Sequence, residues 1–180
     1  GRVEVSNVFP NQVTIFWQTI QKKPAWIVFG TSEDKLDRIA IDKKDDEKNR
    51  KPYKNHYMVL QNLEENRRYF FKFVVDNKLI SKKDGSPFTF TTISSKIGVN
   101  NLQPAYGKII DQKGKPIENA VVFLYVKDAY SLSALSKNSG EWLIPLNYII
   151  NKIRKKLKTP AKEEVLKLQV IDEGGKNSNL

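Results

Sequence analysis

Cysteine is missing from all 180 residues, and histidine occurs once, at position 56. The first absence excludes disulfides, thiolate chemistry and cysteine-ligated zinc. It does not exclude secretion, because a β-sandwich can hold together without covalent staples. The single histidine leaves no room for a histidine-rich metal site or for a pair of acid–base histidines. No apolar run approaches the ~20 residues that a membrane-spanning helix needs, so no insertion into a membrane is expected. Gly-x-Ser-x-Gly, a phosphate-binding loop and a dinucleotide fingerprint are all missing as well. No cofactor, no metal and no enzymatic activity is expected.

What is present is enough apolar surface to build cores. The hydrophobic share is 39% and the aromatic share 11%, above the range of disordered chains. The length suits one large or two small domains. Net charge is +11, which raises nucleic-acid binding. The distribution argues against it: residues 1–93 carry 17 Lys+Arg against 12 Asp+Glu, and residues 94–180 carry 14 against 8. An excess spread so evenly, and mostly lysine, reads as solvated strand edges and loops. No nucleic-acid partner is expected. The chain opens Gly1-Arg2-Val3, without an initiator methionine, and is read as part of a longer protein whose targeting signal lies outside it.

Residues 3–92 show an all-β pattern. Val13, Ile15 and Trp17 share one strand face, and 25–29 is a continuous apolar run with both faces covered. Further strands are expected at 38–41, 57–60, 69–75 and 87–92, separated by Asn-, Asp- and Gly-containing turns. Six or seven short strands in this length point to two packed sheets. Trp17, Leu63 six residues before Tyr69, then Phe71, Phe73 and Val75 at period two, resemble a fibronectin type III domain. Tyr69 falls at its tyrosine-corner position, whose hydroxyl bonds back to the backbone. The segment at 28–36, with His56-Tyr57 opening a later strand, looks especially like the fibronectin-type domains that precede metallophosphatases. With Tyr69 inward, Phe70, Lys72 and Val74 point outward. Trp26, Phe70 and Val74 are then a candidate interaction patch, which either packs under a loop or neighbouring domain or serves as a partner surface.

A polar linker, 94–105, precedes the second half at 106–180. There, apolar runs 106–110 and 120–126 flank a Gly/Pro turn and read as a β-hairpin. More strands are expected at 131–136, 141–145 and 162–171. Gly107, Gly114, Pro116, Ala120, Gly140 and Trp142 make this half resemble the carboxypeptidase regulatory-like domain, a small prealbumin-type sandwich. The resemblance implies scaffolding rather than peptidase activity. The family places one more strand at the end; this chain either lacks it or begins it at 176–180. Asn119 stands where the family usually has glycine, and asparagine tolerates the left-handed region best after glycine. Leu146, Ile149, Ile150, Ile153 and Leu157 fall at helical spacing, opposite Lys152, Arg154, Lys155, Lys156 and Lys158. A short helical insertion covering the core is expected there.

Three sites for chemistry compete with plainer readings. Asp42, Asp45, Asp46 and Glu47 are carboxylates in one loop, as calcium uses. The interleaved lysines and the missing Asp-x-Asp-x-Asp-Gly spacing favour a solvated loop. His56 reads as an ordinary sandwich residue. Lys108 and Asn177 stand where related adhesin sandwiches join a lysine to an asparagine, yet no carboxylate is placed to assist, and an exposed Lys108 is favoured. The fold class expected is all-β: two tandem β-sandwiches, the second with a short helical insertion. The function expected is a non-catalytic spacer, presentation or adhesion module of a bacterial surface or secreted multidomain protein. It is expected to be monomeric, outside the cell, and in contact with neighbouring domains of the same chain and with a protein or polysaccharide surface. The alternative is a carbohydrate-binding accessory module of an extracellular enzyme, with Trp26, Tyr53, Tyr130 and Tyr148 stacking on sugars.

Overall fold

A computed structural model describes every residue except Glu47, Lys162, Glu163, Val165 and Leu180. The chain forms two compact units, Gly1–Ser94 and Ser95–Leu180. Both are all-β; the only helical turn among the described residues is a three-residue 3₁₀ turn, Ser95–Ile97.

In the first unit, β1 (Val3–Ser6), β2 (Val13–Lys23) and β5 (Tyr53–Leu60) make one antiparallel sheet in the order β1-β2-β5. The second sheet runs β4-β3-β6-β7, from β3 (Ala25–Gly30), β4 (Arg38–Ile41), β6 (Arg68–Val75) and β7 (Lys78–Ile80). Strand β8 (Phe88–Thr91) shares an edge of β6 with β7, pairing with residues 68–71 while β7 pairs with 73–75. Period two along β6 puts Tyr69, Phe71 and Phe73 inward, each at most 1% exposed. Trp17 of β2 stacks on Phe73 of β6 with ring centroids 4.1 Å apart, so one aromatic contact joins the two sheets. Phe88 and Phe90 of β8 stack on Phe71 and Tyr69. The Tyr69 hydroxyl accepts the Glu64 N–H at 2.9 Å, and buried Leu63 donates its own N–H to Asn11. This is an immunoglobulin-like β-sandwich.

Two details differ from the sequence reading. Along the apolar run of β3, Ala25, Ile27 and Phe29 are buried, and Trp26 and Val28 are half-buried. At the end of β6 it is Val74 that is buried, and Val75 is half-buried. Strands β1 and β7 carry too short a pattern to be read in advance; every residue of β7 is exposed.

In the second unit, β9 (Ala105–Lys108) pairs with β12 (Glu141–Ile144). A four-stranded sheet has the order β11-β10-β13-β14, from β10 (Val121–Tyr125), β11 (Leu132–Leu135), β13 (Lys167–Ile171) and β14 (Asn177–Asn179). The expected strand at 162–171 therefore starts at Lys167; residues 162, 163 and 165 lie outside the described residues. Val121, Val122, Phe123 and Leu124 are all at most 1% exposed, so β10 is covered on both faces. Gly107 lies against the Trp142 indole, where a Cβ would come within 3.0 Å of the ring. Ala120 is wholly buried.

The hairpin expected from 106–126 does not form as such. The turn folds back locally, with an Ile110–Pro116 bridge and Ile117 donating to Ile109 at 3.0 Å. Then Asn119, at φ 59°, sends the chain to the other sheet, and β9 and β10 pair with different partners.

The helical insertion is also overturned. Residues 149–158 fold back on themselves: Lys158 N–H donates to Ile149 at 2.7 Å, and Ile150 bridges Leu157. Asn151 Oδ1 accepts the N–H groups of Ile153 and Arg154, and Lys155 sits at φ 51° to close the turn. Three isoleucines weaken the helix. Asn151 offers the backbone an alternative through its side chain. Spacing alone could not separate these outcomes, because Ile149 and Ile150 are both buried and Ile153 is 84% exposed.

Tyr69→Phe should destabilise the chain by about 1 kcal/mol in urea unfolding, the worth of one hydrogen bond; an unchanged midpoint would mean that water replaces the hydroxyl. Gly114 and Gly140 both have φ above 70°. A Cβ at Gly114 meets nothing, whereas at Gly140 it would lie 2.4 Å from the Ile109 carbonyl oxygen. Gly114→Ala should cost about 1 kcal/mol. Gly140→Ala should cost clearly more, and equal costs would contradict this packing.

Candidate functional site

Alternation along the second sheet of the first unit sets one apolar row on the face away from the core. Trp26 faces Val74 across β3 and β6 and Ile41 across β3 and β4; Leu79 of β7 faces Val74 on the far side. Ile39 and Leu79 are each 60% exposed. The Arg50 guanidinium lies over the Trp26 ring at 4.4 Å. The sheet thus brings Trp26 and Val74 together. Phe70 stands apart, opposite Gly30 and Thr89, with Lys72 between it and Val74 along β6. Its own cover is Arg68, 5.1 Å from the ring.

A second cluster is buried, and little in the residue pattern signals it. After β4 the chain crosses to the first sheet, where Asp42 bridges Met58 and Lys43 donates to Tyr57 at 2.8 Å. That crossing puts the Asp42 carboxylate, 0% exposed, beside the equally buried His56. Asp42 Oδ1 accepts the Lys44 N–H at 3.0 Å, and Oδ2 accepts the Tyr57 N–H at 3.1 Å. His56 Nδ1 lies 3.3 Å from Oδ2. That distance suits an ion pair, but the angle does not make a hydrogen bond, and neither ring nitrogen has an aligned partner among the described residues. We take the geometry as close packing of the imidazole on the carboxylate.

Lys44 closes the cluster. Its ammonium is 4.0 Å from Asp42 Oδ2, donates to the Asn55 carbonyl at 2.6 Å, and sits 3.8 Å from the centre of the Tyr53 ring. The loop expected to be solvated therefore has two parts. Asp42 is buried, and Asp46 is exposed and accepts the N–H groups of Lys48 and Asn49. Hydrogen bonding, first from the Asn49 side chain, holds the Asp46 carboxyl below the usual carboxylate range. Glu47 lies outside the described residues. Among the described residues, no three His, Cys, Asp or Glu side chains are grouped as a metal would need. A buried Asp directly after an apolar strand was the one signal that could have exposed this cluster.

The four aromatic residues considered for sugar stacking are divided between the two units. Trp26 and Tyr53 belong to the first unit, Tyr130 and Tyr148 to the second. All four are half-buried. Cations lie over three of the rings: Arg50 on Trp26, Lys44 on Tyr53 and Lys155 on Tyr130. Lys108 and Asn177 are both exposed and sit in different sheets of the second unit, so the dry, carboxylate-assisted setting of an isopeptide bond is not built around them.

The first unit is thus a sandwich module whose buried polar cluster ties its own backbone together. Residues 1–92 match the purple acid phosphatase N-terminal domain, and the chain belongs to that family. No curated protein matches it. Among solved structures the chain is similar to pullulanase from Anoxybacillus sp. LM18-11, complexed with maltotriose (9% identity, TM-score 0.30) and without it (9% identity, TM-score 0.29). Each alignment covers 99% of this chain and 25% of the pullulanase chain, so this chain spans a quarter of their length.

Asp42→Ala should cost about 3 kcal/mol in equilibrium unfolding, because it strands the Lys44 charge and the Tyr57 N–H. His56→Leu, which removes a ring with no aligned hydrogen bond, should stay within about 1 kcal/mol of the parent. The reverse order would show that the histidine holds the cluster.

Proposed function

We propose that the chain is a non-catalytic accessory module, a spacer and presentation scaffold within a secreted or surface-exposed bacterial multidomain protein. One observation carries the reading: among the described residues, the single histidine and several carboxylates are committed to the fold. His56 is wholly buried. Carboxylates cap turns of their own backbone, with Asp84 bonding Ser86, Asp111 bonding Lys113 and Lys115, and Asp172 bonding Lys176. Membership of the purple acid phosphatase N-terminal domain family supports it, as that domain is named by its position beside an enzyme's catalytic part. A rigid sandwich beside a catalytic or binding domain holds its neighbours at fixed spacing and offers loops for contact.

A second reading, a carbohydrate-binding accessory module, has one observation in its favour. Tyr106 is 77% exposed, beside Leu143 in an open groove of about 450 Å³ that Lys137 and Glu141 also line. A ring next to polar groups is a sugar-stacking arrangement. Two assays divide the readings. The chain should show no phosphatase turnover with added divalent metals, and turnover would end the scaffold reading. On a glycan array it should bind nothing; a hit that Tyr106→Ala abolishes would establish the carbohydrate-binding module instead.

A further inference from the structure

The turn at 151–156 of the second unit sets one exposed apolar side chain among basic neighbours in the sequence. Ile153 is 84% exposed. Lys152, Arg154, Lys155 and Lys156 surround it in sequence, all exposed. Lys155 is drawn back, bonding the Tyr130 hydroxyl with its ammonium 4.5 Å from that ring's centre. Lys152, Arg154 and Lys156 have no ion-pair partner among the described residues. Arg154, Lys156 and Lys158 also line an open groove of about 700 Å³, in which Asp128 is the one acid among the described residues. Lys158 is the paired member, with Glu164 at 2.7 Å.

The tip is held in shape before any partner arrives. Asn151 Oδ1 accepts two N–H groups, at 3.0 and 2.7 Å. The Asn151 carbonyl accepts a third from Lys155 at 3.0 Å, and Lys152 N–H is fixed to Asp128 at 2.8 Å. Ile149 and Ile150, wholly buried, anchor the base. Ile153 takes no part in the core of the second unit, and it stands among three cations that make no ion pair within the described residues. It also gains nothing from a soluble polyanion, which would answer only the cations. An anionic bilayer answers both, since its headgroups attract cations and its interfacial layer accepts apolar side chains.

We propose that this tip is a docking surface for an anionic lipid bilayer, with Lys152, Arg154 and Lys156 over headgroup charges and Ile153 entering the interfacial layer. The contact is peripheral and differs from a membrane span. Sedimentation of the intact chain with vesicles tests it, using phosphatidylcholine containing about one third phosphatidylglycerol against phosphatidylcholine alone. Binding should be confined to the anionic vesicles and fall steeply by ~0.5 M salt.

The triple variant K152E/R154E/K156E should bind on the order of 100-fold more weakly, at about fivefold per cation removed. K78E/K82E/K83E makes the same change of net charge on the first unit and should stay within about threefold of the parent. Ile153→Ser, which alters no charge, should weaken binding about tenfold. Circular dichroism of each variant checks that it is folded. Equal binding to both vesicle types would overturn the proposal. So would equal losses in the two triple variants, which would leave only general basicity. An unaffected Ile153→Ser, with soluble polyphosphate competing fully for the same residues, would show that the tip reads negative charge in solution and not a bilayer.

Discussion

Everything in the first unit depends on keeping two sheets face to face over a single layer of side chains. Aromatic residues make that layer. Trp17 from one sheet lies flat on Phe73 from the other, and Tyr69, Phe71, Phe88 and Phe90 continue the stack along β6 and β8. Because Trp17 is also the cross-strand partner of His56, the same contact fixes where β5 lies. It thereby fixes where the Asp42 carboxylate must be buried. The polar cluster follows from the packing: the chain crosses from β4 to β5, and its carboxylate caps the backbone at the crossing. A buried charge of this kind survives only with its partners in place.

The second unit solves the same problem with small residues. Gly107 gives the Trp142 indole room to lie on the backbone, and Asn119 takes the left-handed conformation that moves the chain between sheets. Gly140 permits the close approach of Ile109. In both units several carboxylates cap turns of their own backbone. The proposed scaffold role rests on that common economy. It also directs attention to the surface, where Leu79, Tyr106 and Ile153 stay exposed without a role in either core.

The sequence was most legible where one periodicity had one meaning. Tyr69, Phe71 and Phe73 at spacing two could only be a half-buried strand, and the all-β sandwich followed from such runs. It was least legible where two structures share a pattern. Ile149, Ile150, Ile153 and Leu157 fit a helix, yet the same residues form a folded-back turn once Asn151 bonds its neighbours' N–H groups. Residues 106–126 had strands flanking a Gly/Pro turn, but which strand pairs with which is set by the chain's path after Asn119, and composition does not carry that. The Asp42 cluster was hidden for a related reason: Asp42 and His56 meet only through a crossing between sheets. Trp26 and Val74 lie opposite each other in the register of β3 and β6, while Phe70 is set apart by that register and by Lys72.

These observations describe a molecule whose strands hold its shape and whose loops meet the outside. Backbone amide hydrogen exchange across the whole chain tests that division most directly. The slowest amides should lie in β2, β3, β5, β6 and β10, and those of residues 44–46, 48–50 and 111–115 should exchange orders of magnitude faster through local opening. Strand amides exchanging as fast as those loops would contradict the account, because no rigid frame would then exist to present anything.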